Sequence, residues 1–275
     1  MKTRIISGAV GIALFAVVLW LHKTPLFPTT LALIGALMAY ELARAEKLER
    51  EYVFIGASAL YAAVCAFLPR TIIMSFFDFS PIMPYIVITF AYIVICQTTV
   101  LFRHNALNLG RYYICFVYMI FIGGAMLSLS QIEYSGRFGV PFLVLTFMGA
   151  WVADTGAYFA GTLFGKHKLC PGISPKKTVE GVVGGAIANA VAFVVFGMVR
   201  MRTVEYAVSS PLCYAVLGII CSLLGLLGDL SASVIKRDAD IKDYGNIMPG
   251  HGGAMDRFDS IIYIAPFMLL ALSMG

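Results

Sequence analysis

The chain has 275 residues, 60% of them apolar and only 13% charged, with a net charge of +5 and a mean hydropathy of +0.87. Soluble domains average roughly half apolar and about a quarter charged. This composition therefore excludes a disordered chain, a coiled coil, a nucleic-acid-binding domain and nearly every soluble enzyme, and leaves a polytopic helical membrane protein.

Apolar windows run over 4–21, 27–43, 52–69, 81–102, 112–130, 140–164, 179–199, 211–235 and 257–274. Each approaches the roughly 20 residues with which a helix crosses a bilayer. They are apolar on every face rather than alternating, which excludes transmembrane strands. The predicted fold is all-α, with about nine transmembrane helices. The first window follows Lys2 and Arg4, but it is long for a signal peptide and lacks a small-x-small cleavage site, so it reads as an uncleaved span. Near the end of the second, Glu41 is followed by Arg44 and reads as a helix-end ion partner. The short 71–80 segment, with Asp78, reads as a re-entrant or surface helix. The six cysteines show no CxxC spacing and read as small apolar packing residues.

Basic residues concentrate on the cytoplasmic side of membrane proteins. With the N-terminus inside, 15 of the 20 lysines and arginines fall on that side, an N-in/C-out arrangement. Residues 1–140, about five spans, carry few polar groups and read as a scaffold that gives lipid access and dimer contacts. The remainder, 141–275, holds about four spans and two basic cytoplasmic loops, 165–178 and 236–256, and reads as the catalytic region.

In the sixth window Asp154 lies about ten residues from the cytoplasmic end, roughly 15 Å deep at 1.5 Å per residue. A carboxylate at that depth is costly, which makes it a site candidate. The nearby Gly161-x-x-x-Gly165 and Gly181-x-x-x-Gly185 read as close helix packing. The next loop runs Ser174-Pro-Lys-Lys-Thr178-Val-Glu-Gly181. Ser174 as N-cap and Pro175 at the first helical position would put Lys176 and Lys177 in a helix's first turn. Cations are disfavoured there unless an anion such as phosphate joins them.

Asp229 sits near the cytoplasmic end of the eighth window, seven and eight residues before Lys236 and Arg237. After Lys242 and Gly245 comes Pro249-Gly-His251-Gly-Gly253-Ala-Met-Asp256-Arg257-Phe-Asp259, whose glycines permit close backbone approach. Asp256 and Asp259 share a helix face at i, i+3; Asp256 alone also suits an N-cap. Carboxylates with phosphate oxygens are the usual ligands of Mg²⁺, and Lys and Arg supply the charge that a polyphosphate needs. The constellation reads as a metal-dependent phosphoryl- or nucleotidyl-transfer site acting on a membrane-embedded substrate.

The stretch from Ser233 through Lys236, Arg237, Lys242, Asp243, Gly245, Pro249, His251, Gly252, Gly253, Asp256 and Arg257 to Asp259 closely resembles the signature of phosphatidate cytidylyltransferases (CDP-diacylglycerol synthases). Ala153-Asp154-Thr-Gly-Ala-Tyr158 and Ser174-Pro-Lys-Lys-Thr178-x-Glu180-Gly181 resemble that family too, so the likeness covers roughly residues 150–260. Met248 before the proline and Ala254 after the glycine pair depart from the usual pattern but keep it apolar. The resemblance implies CTP + phosphatidic acid → CDP-diacylglycerol + pyrophosphate, with Mg²⁺ (one ion or two), in a homodimeric enzyme of the bacterial inner membrane whose site faces the cytoplasm. On that basis Asp229, Asp256 and Asp259 are expected to ligate metal. Lys236 and Arg237 join them as catalytic groups, and Lys176, Lys177 and Arg257 are expected to bind the phosphates of CTP or lipid. Lys242 and His251 are expected nearby, with Ser233 and Asp154 as inner polar groups. Two readings compete. A CTP-dependent polyprenol or phytol kinase would release CDP instead of pyrophosphate. A secondary transporter would use Asp154 and Asp229 as coupling-ion sites, but it expects internal repeats, and none is visible between the halves.

Overall fold

A computed structural model describes residues 2–70, 82–201, 210–247 and 252–274. The 71–80 segment and His251 lie outside the described residues. Among the described residues nine α-helices follow in chain order: α1 (Lys2–Trp20), α2 (Leu26–Ala45), α3 (Tyr52–Phe67), α4 (Ile82–Arg103), α5 (Leu109–Tyr134), α6 (Gly139–Phe164), α7 (Val179–Met201), α8 (Pro211–Asp238) and α9 (Met255–Ser273). Between α6 and α7 stands a two-stranded antiparallel hairpin of β1 (Lys168–Cys170) and β2 (Ser174–Thr178). Among the described residues seven segments are long and apolar enough to cross a membrane, the segments of α2 to α8. The all-α membrane architecture expected from composition is the one observed.

The chain divides into two compact units. One holds α1–α5 with Ala239–Phe258; the other holds Ser135–Asp238 and α9 from Asp259 onward. Burying apolar groups against lipid gains little, so helices in each unit are held by close contact and interhelical hydrogen bonds. In the first unit Met38, Leu42, Ala62, Cys65, Met119, Ile122 and Met126 are fully buried. A Cβ on Gly35 would lie 2.7 Å from Ala62 Cβ, so α2 and α3 approach closely at that point. Polar side chains satisfy one another there: Ser58 Oγ pairs with Tyr92 Oη at 2.9 Å, and Tyr61 Oη with Thr89 Oγ1 at 3.1 Å.

In the second unit small residues form the seam between α6 and α7. A Cβ on Gly156 would sit 2.6 Å from Ala188 Cβ, and one on Gly185 2.7 Å from the Ala153 carbonyl oxygen. Fully buried Asn189 adds polar glue, its Nδ2 donating to Gly218 O (2.8 Å) and Gly149 O (3.2 Å), so that α7 is tied to both α8 and α6. From Asp259 onward α9 lies on α8, where Ser260 Oγ donates to Gly225 O at 3.0 Å and Gly228 leaves room for the backbone at Asp259 and Ser260.

One local expectation is corrected. Ser174 does not cap a helix, and Lys176 and Lys177 do not lie in a first helical turn: 174–178 is strand β2, with Lys168 opposite Thr178 and Cys170 opposite Ser174. Thr178 is the cap, its Oγ1 accepting Gly181 N–H at 3.1 Å. Pairing with β1 gives this backbone its hydrogen bonds, and the delayed start keeps two cations off the positive end of α7. Acidic Glu180 takes the first-turn place instead.

Candidate active site

The hairpin, α6, α7 and α8 enclose a cleft of about 400 Å³. Its cationic wall is Lys168 on β1 and Lys176 and Lys177 on β2. Asp154 and Thr162 enter from α6 and Ser222 from α8, over a floor of small residues that includes Gly161, Gly181 and Gly225. The glycines serve the packing: a Cβ on Gly181 would lie 2.9 Å from Ala157 O, so α6 and α7 can meet directly behind the site. Asp154, exposed on its helix, thus lines the lysine-walled cleft.

Lys177 is ion-paired with Asp229 of α8. One and two helical turns further along α8, buried Ser233 and Lys236 follow in that order. Asp259 on α9 is 8% exposed and lies near enough to Asp229, Lys236 and Asp154 to interact with each electrostatically. Arg237 Nε donates to Ile173 O at the hairpin tip, 3.2 Å away. The second unit therefore gathers Asp154, Lys176, Lys177, Asp229, Lys236 and Asp259 around the cleft and the foot of the hairpin.

The Gly-rich segment is built differently, within the first unit. Asp256 is buried, and its Oδ2 accepts Tyr244 N–H (2.8 Å) and Gly253 N–H (3.0 Å). Asp256, expected as a metal ligand, thus gives one oxygen to its own loop. Glu41, 3% exposed on α2, accepts Met255 N–H on Oε2 (2.8 Å) and Ala254 N–H on Oε1 (3.1 Å), while Arg44 Nη2 donates to Tyr244 O at 2.7 Å. The close approach allowed by Gly245 and Gly253 is to the Glu41 carboxylate, and Gly252 (φ +87°) lies against that of Asp256. Lys242 and Arg257 are exposed in this segment.

Sequence reading passed over Lys168, Thr162 and Ser222 in the cleft and treated Glu41 as an ion partner of Arg44. Glu41 lies only four residues from the end of α2, so the depth argument applied to Asp154 gave no signal there. Among the described residues no three His, Cys, Asp or Glu side chains gather as a metal-ligand cluster. The pair Asp229 and Asp259 fits Mg²⁺ all the same, because that ion takes one or two carboxylates and completes its shell with water and substrate phosphates.

These observations define an integral membrane protein with a lysine-walled cleft beside half-buried Asp229 and buried Asp259, a class suited to anionic substrates. Residues 2–274 match the model of the cytidylyltransferase family, and the chain belongs to that family. Phosphatidate cytidylyltransferase of Bacillus subtilis (strain 168) is 32% identical over 276 residues, covering 100% of this chain and 98% of that protein. The enzyme of the same name from Staphylococcus saprophyticus is 36% identical over 183 residues, 65% of this chain and 67% of its own length. That from Staphylococcus haemolyticus is 42% identical over 134 residues, 49% and 50% of the two chains.

Proposed function

We propose that this chain transfers a cytidylyl group from CTP to phosphatidic acid, forming CDP-diacylglycerol and pyrophosphate. The observation that carries the reading is the placing of three cleft lysines next to the Asp229–Asp259 pair, together with a full-length relative named for this reaction. The phosphate of phosphatidic acid is already an anionic nucleophile. One of its oxygens bonds to the α-phosphorus of CTP as the bond from that phosphorus to the pyrophosphate oxygen breaks. No proton has to be removed, so the protein's work is to bring two anions together and stabilise charge on the leaving group.

Lys168, Lys176 and Lys177 bind phosphate oxygens along the hairpin wall, and Lys236 adds charge from α8. Asp229 and Asp259 would hold Mg²⁺, which when bound neutralises charge on the phosphates. Lys177 exchanges its pairing with Asp229 for substrate phosphate in the same event. Asp154, Thr162 and Ser222 offer the cleft's polar contacts for the rest of the nucleotide. The excess of basic residues on one side supports a cytoplasmic-facing site in the bacterial inner membrane, and a homodimer follows the family resemblance.

The test incubates purified protein with labelled CTP, phosphatidic acid and Mg²⁺. Label in a lipid product with equimolar pyrophosphate supports the reading. CDP release with an unlabelled phosphorylated lipid would identify a kinase instead, and no product from folded protein would refute both.

A further inference from the structure

Glu180 belongs to the Ser174–Gly181 motif, yet the chemistry above gives it no part, and it does not line the cleft. Its carboxylate turns to the base of the hairpin. Both oxygens accept His167 N–H at 3.2 Å, and Oε1 faces His167 Nδ1 at 2.6 Å. A carboxylate only accepts, so that ring nitrogen carries the proton. His167 O in turn accepts Val179 N–H at 2.9 Å. The residue just before β1 is thereby fastened to the two residues just after β2. The far end of the hairpin is tied by Arg237 to Ile173 O.

These ties matter because the hairpin has little stability of its own. Its strands are three and five residues long with an irregular register, and an isolated two-stranded hairpin is marginal at best. It nevertheless carries three lysines into one cleft, and three like charges held together repel. Each is also a long side chain whose ordering costs entropy. Something outside the strands has to fix their backbone if the ammonium groups are to converge on one ligand.

We infer that Glu180 is a positioning residue: through His167 it latches the base of the hairpin so that Lys168, Lys176 and Lys177 meet a polyphosphate as one preorganised surface. The inference rests on the reading that the cleft binds the phosphates of CTP.

Pyrophosphate is the probe, titrated calorimetrically into purified full-length wild type, Glu180→Ala, Glu180→Gln, His167→Asn and Lys176→Ala, with the double variant Glu180→Ala/Lys176→Ala. Glu180→Ala is expected to weaken binding about three- to tenfold, the effect of a few partly exposed charge-assisted hydrogen bonds. Glu180→Gln and His167→Asn each keep an acceptor or a donor near the lost atom and should recover most of the affinity. Because Glu180 acts through the lysines, its penalty should shrink sharply in the Lys176→Ala background, whereas an unrelated structural effect would add. In turnover the same change should raise KM for CTP and leave kcat within about twofold. Equal affinity of wild type and Glu180→Ala, or a fully additive penalty, overturns the latch. Wild type that binds pyrophosphate but transfers no cytidylyl label refutes the proposed activity, while the latch is still judged by the same comparison. Wild type that binds no pyrophosphate refutes both.

Discussion

Glu41→Ala is a severe single change that the structure points to outside the cleft. Glu41 is 3% exposed and accepts the backbone N–H groups of Ala254 and Met255, the residues that open α9. Helix N-termini leave amides without intrahelical partners, and hydrogen bonds to a charged acceptor contribute about 1.5–3 kcal/mol each. Truncation to Ala removes both acceptors, and neither Gly245 nor Gly253, which abut the carboxylate, has a side chain to replace them. The expected loss is about 3–5 kcal/mol. At about 2–4 °C per kcal/mol for a protein of this size, that lowers the apparent melting midpoint by roughly 6–20 °C. Glu41→Gln keeps one carbonyl acceptor but sets an NH₂ group against the other amide, so it should fall between Ala and wild type. The assay is thermal unfolding of purified protein in one detergent, followed by residual soluble monodisperse protein. A Glu41→Ala midpoint within about 2 °C of wild type would refute the reasoning, since two hydrogen bonds of this kind cannot vanish so cheaply.

Three further changes probe the frame. Gly185→Val places branched carbons where even a Cβ would lie 2.7 Å from Ala153 O; separation of α6 from α7 should cost at least about 1–3 kcal/mol, read as a lowered melting midpoint with loss of pyrophosphate binding. Asn189→Ala removes the two hydrogen bonds that tie α7 to α6 and α8; each is worth roughly 0.6–2 kcal/mol in a membrane setting, so a smaller but measurable drop in midpoint is expected. Arg70→Ala strips Glu133 of its ion-pair partner, with Glu133 5% exposed, and also frees the His22 and Thr24 carbonyls that Arg70 binds; a loss of about 3–5 kcal/mol should be largely reversed by the double change Arg70→Ala/Glu133→Ala, which leaves no lone buried charge.

Much of the frame is legible in the amino-acid order because the membrane imposes it locally. Nine apolar windows coincide with the nine described helices: a helix that crosses lipid must satisfy its own backbone, and long apolar runs say so without reference to partners. The hairpin was not legible in the same way. Ser174-Pro175 satisfies the local rules for a helix start as well as Thr178 does, and the choice is made by pairing with 168–170, an interaction no helix signal in 174–181 announces. The role of Glu41 was hidden for a similar reason: its partners Ala254 and Met255 lie more than 200 residues away.

Glu41, Asp229, Asp256 and Asp259 separate by what holds their oxygens. Asp256 and Glu41 take backbone amides, so their negative charge is spent on fixing a loop and a helix start. Asp229 takes a lysine ammonium, and Asp259, whose Oδ1 accepts the adjacent Ser260 N–H at 2.7 Å, lies within electrostatic reach of Asp229 and Lys236. A side-chain cation can be exchanged for a metal or can itself move to a phosphate, whereas a backbone amide cannot leave without unfolding the loop. Loss of activity after substitution therefore means different things at the two kinds of position. At Asp229 it reports on binding and transfer in folded protein. At Asp256 part of the loss comes from the freed amides of Tyr244 and Gly253, so the melting midpoint has to be read beside the rate before any share is assigned to chemistry.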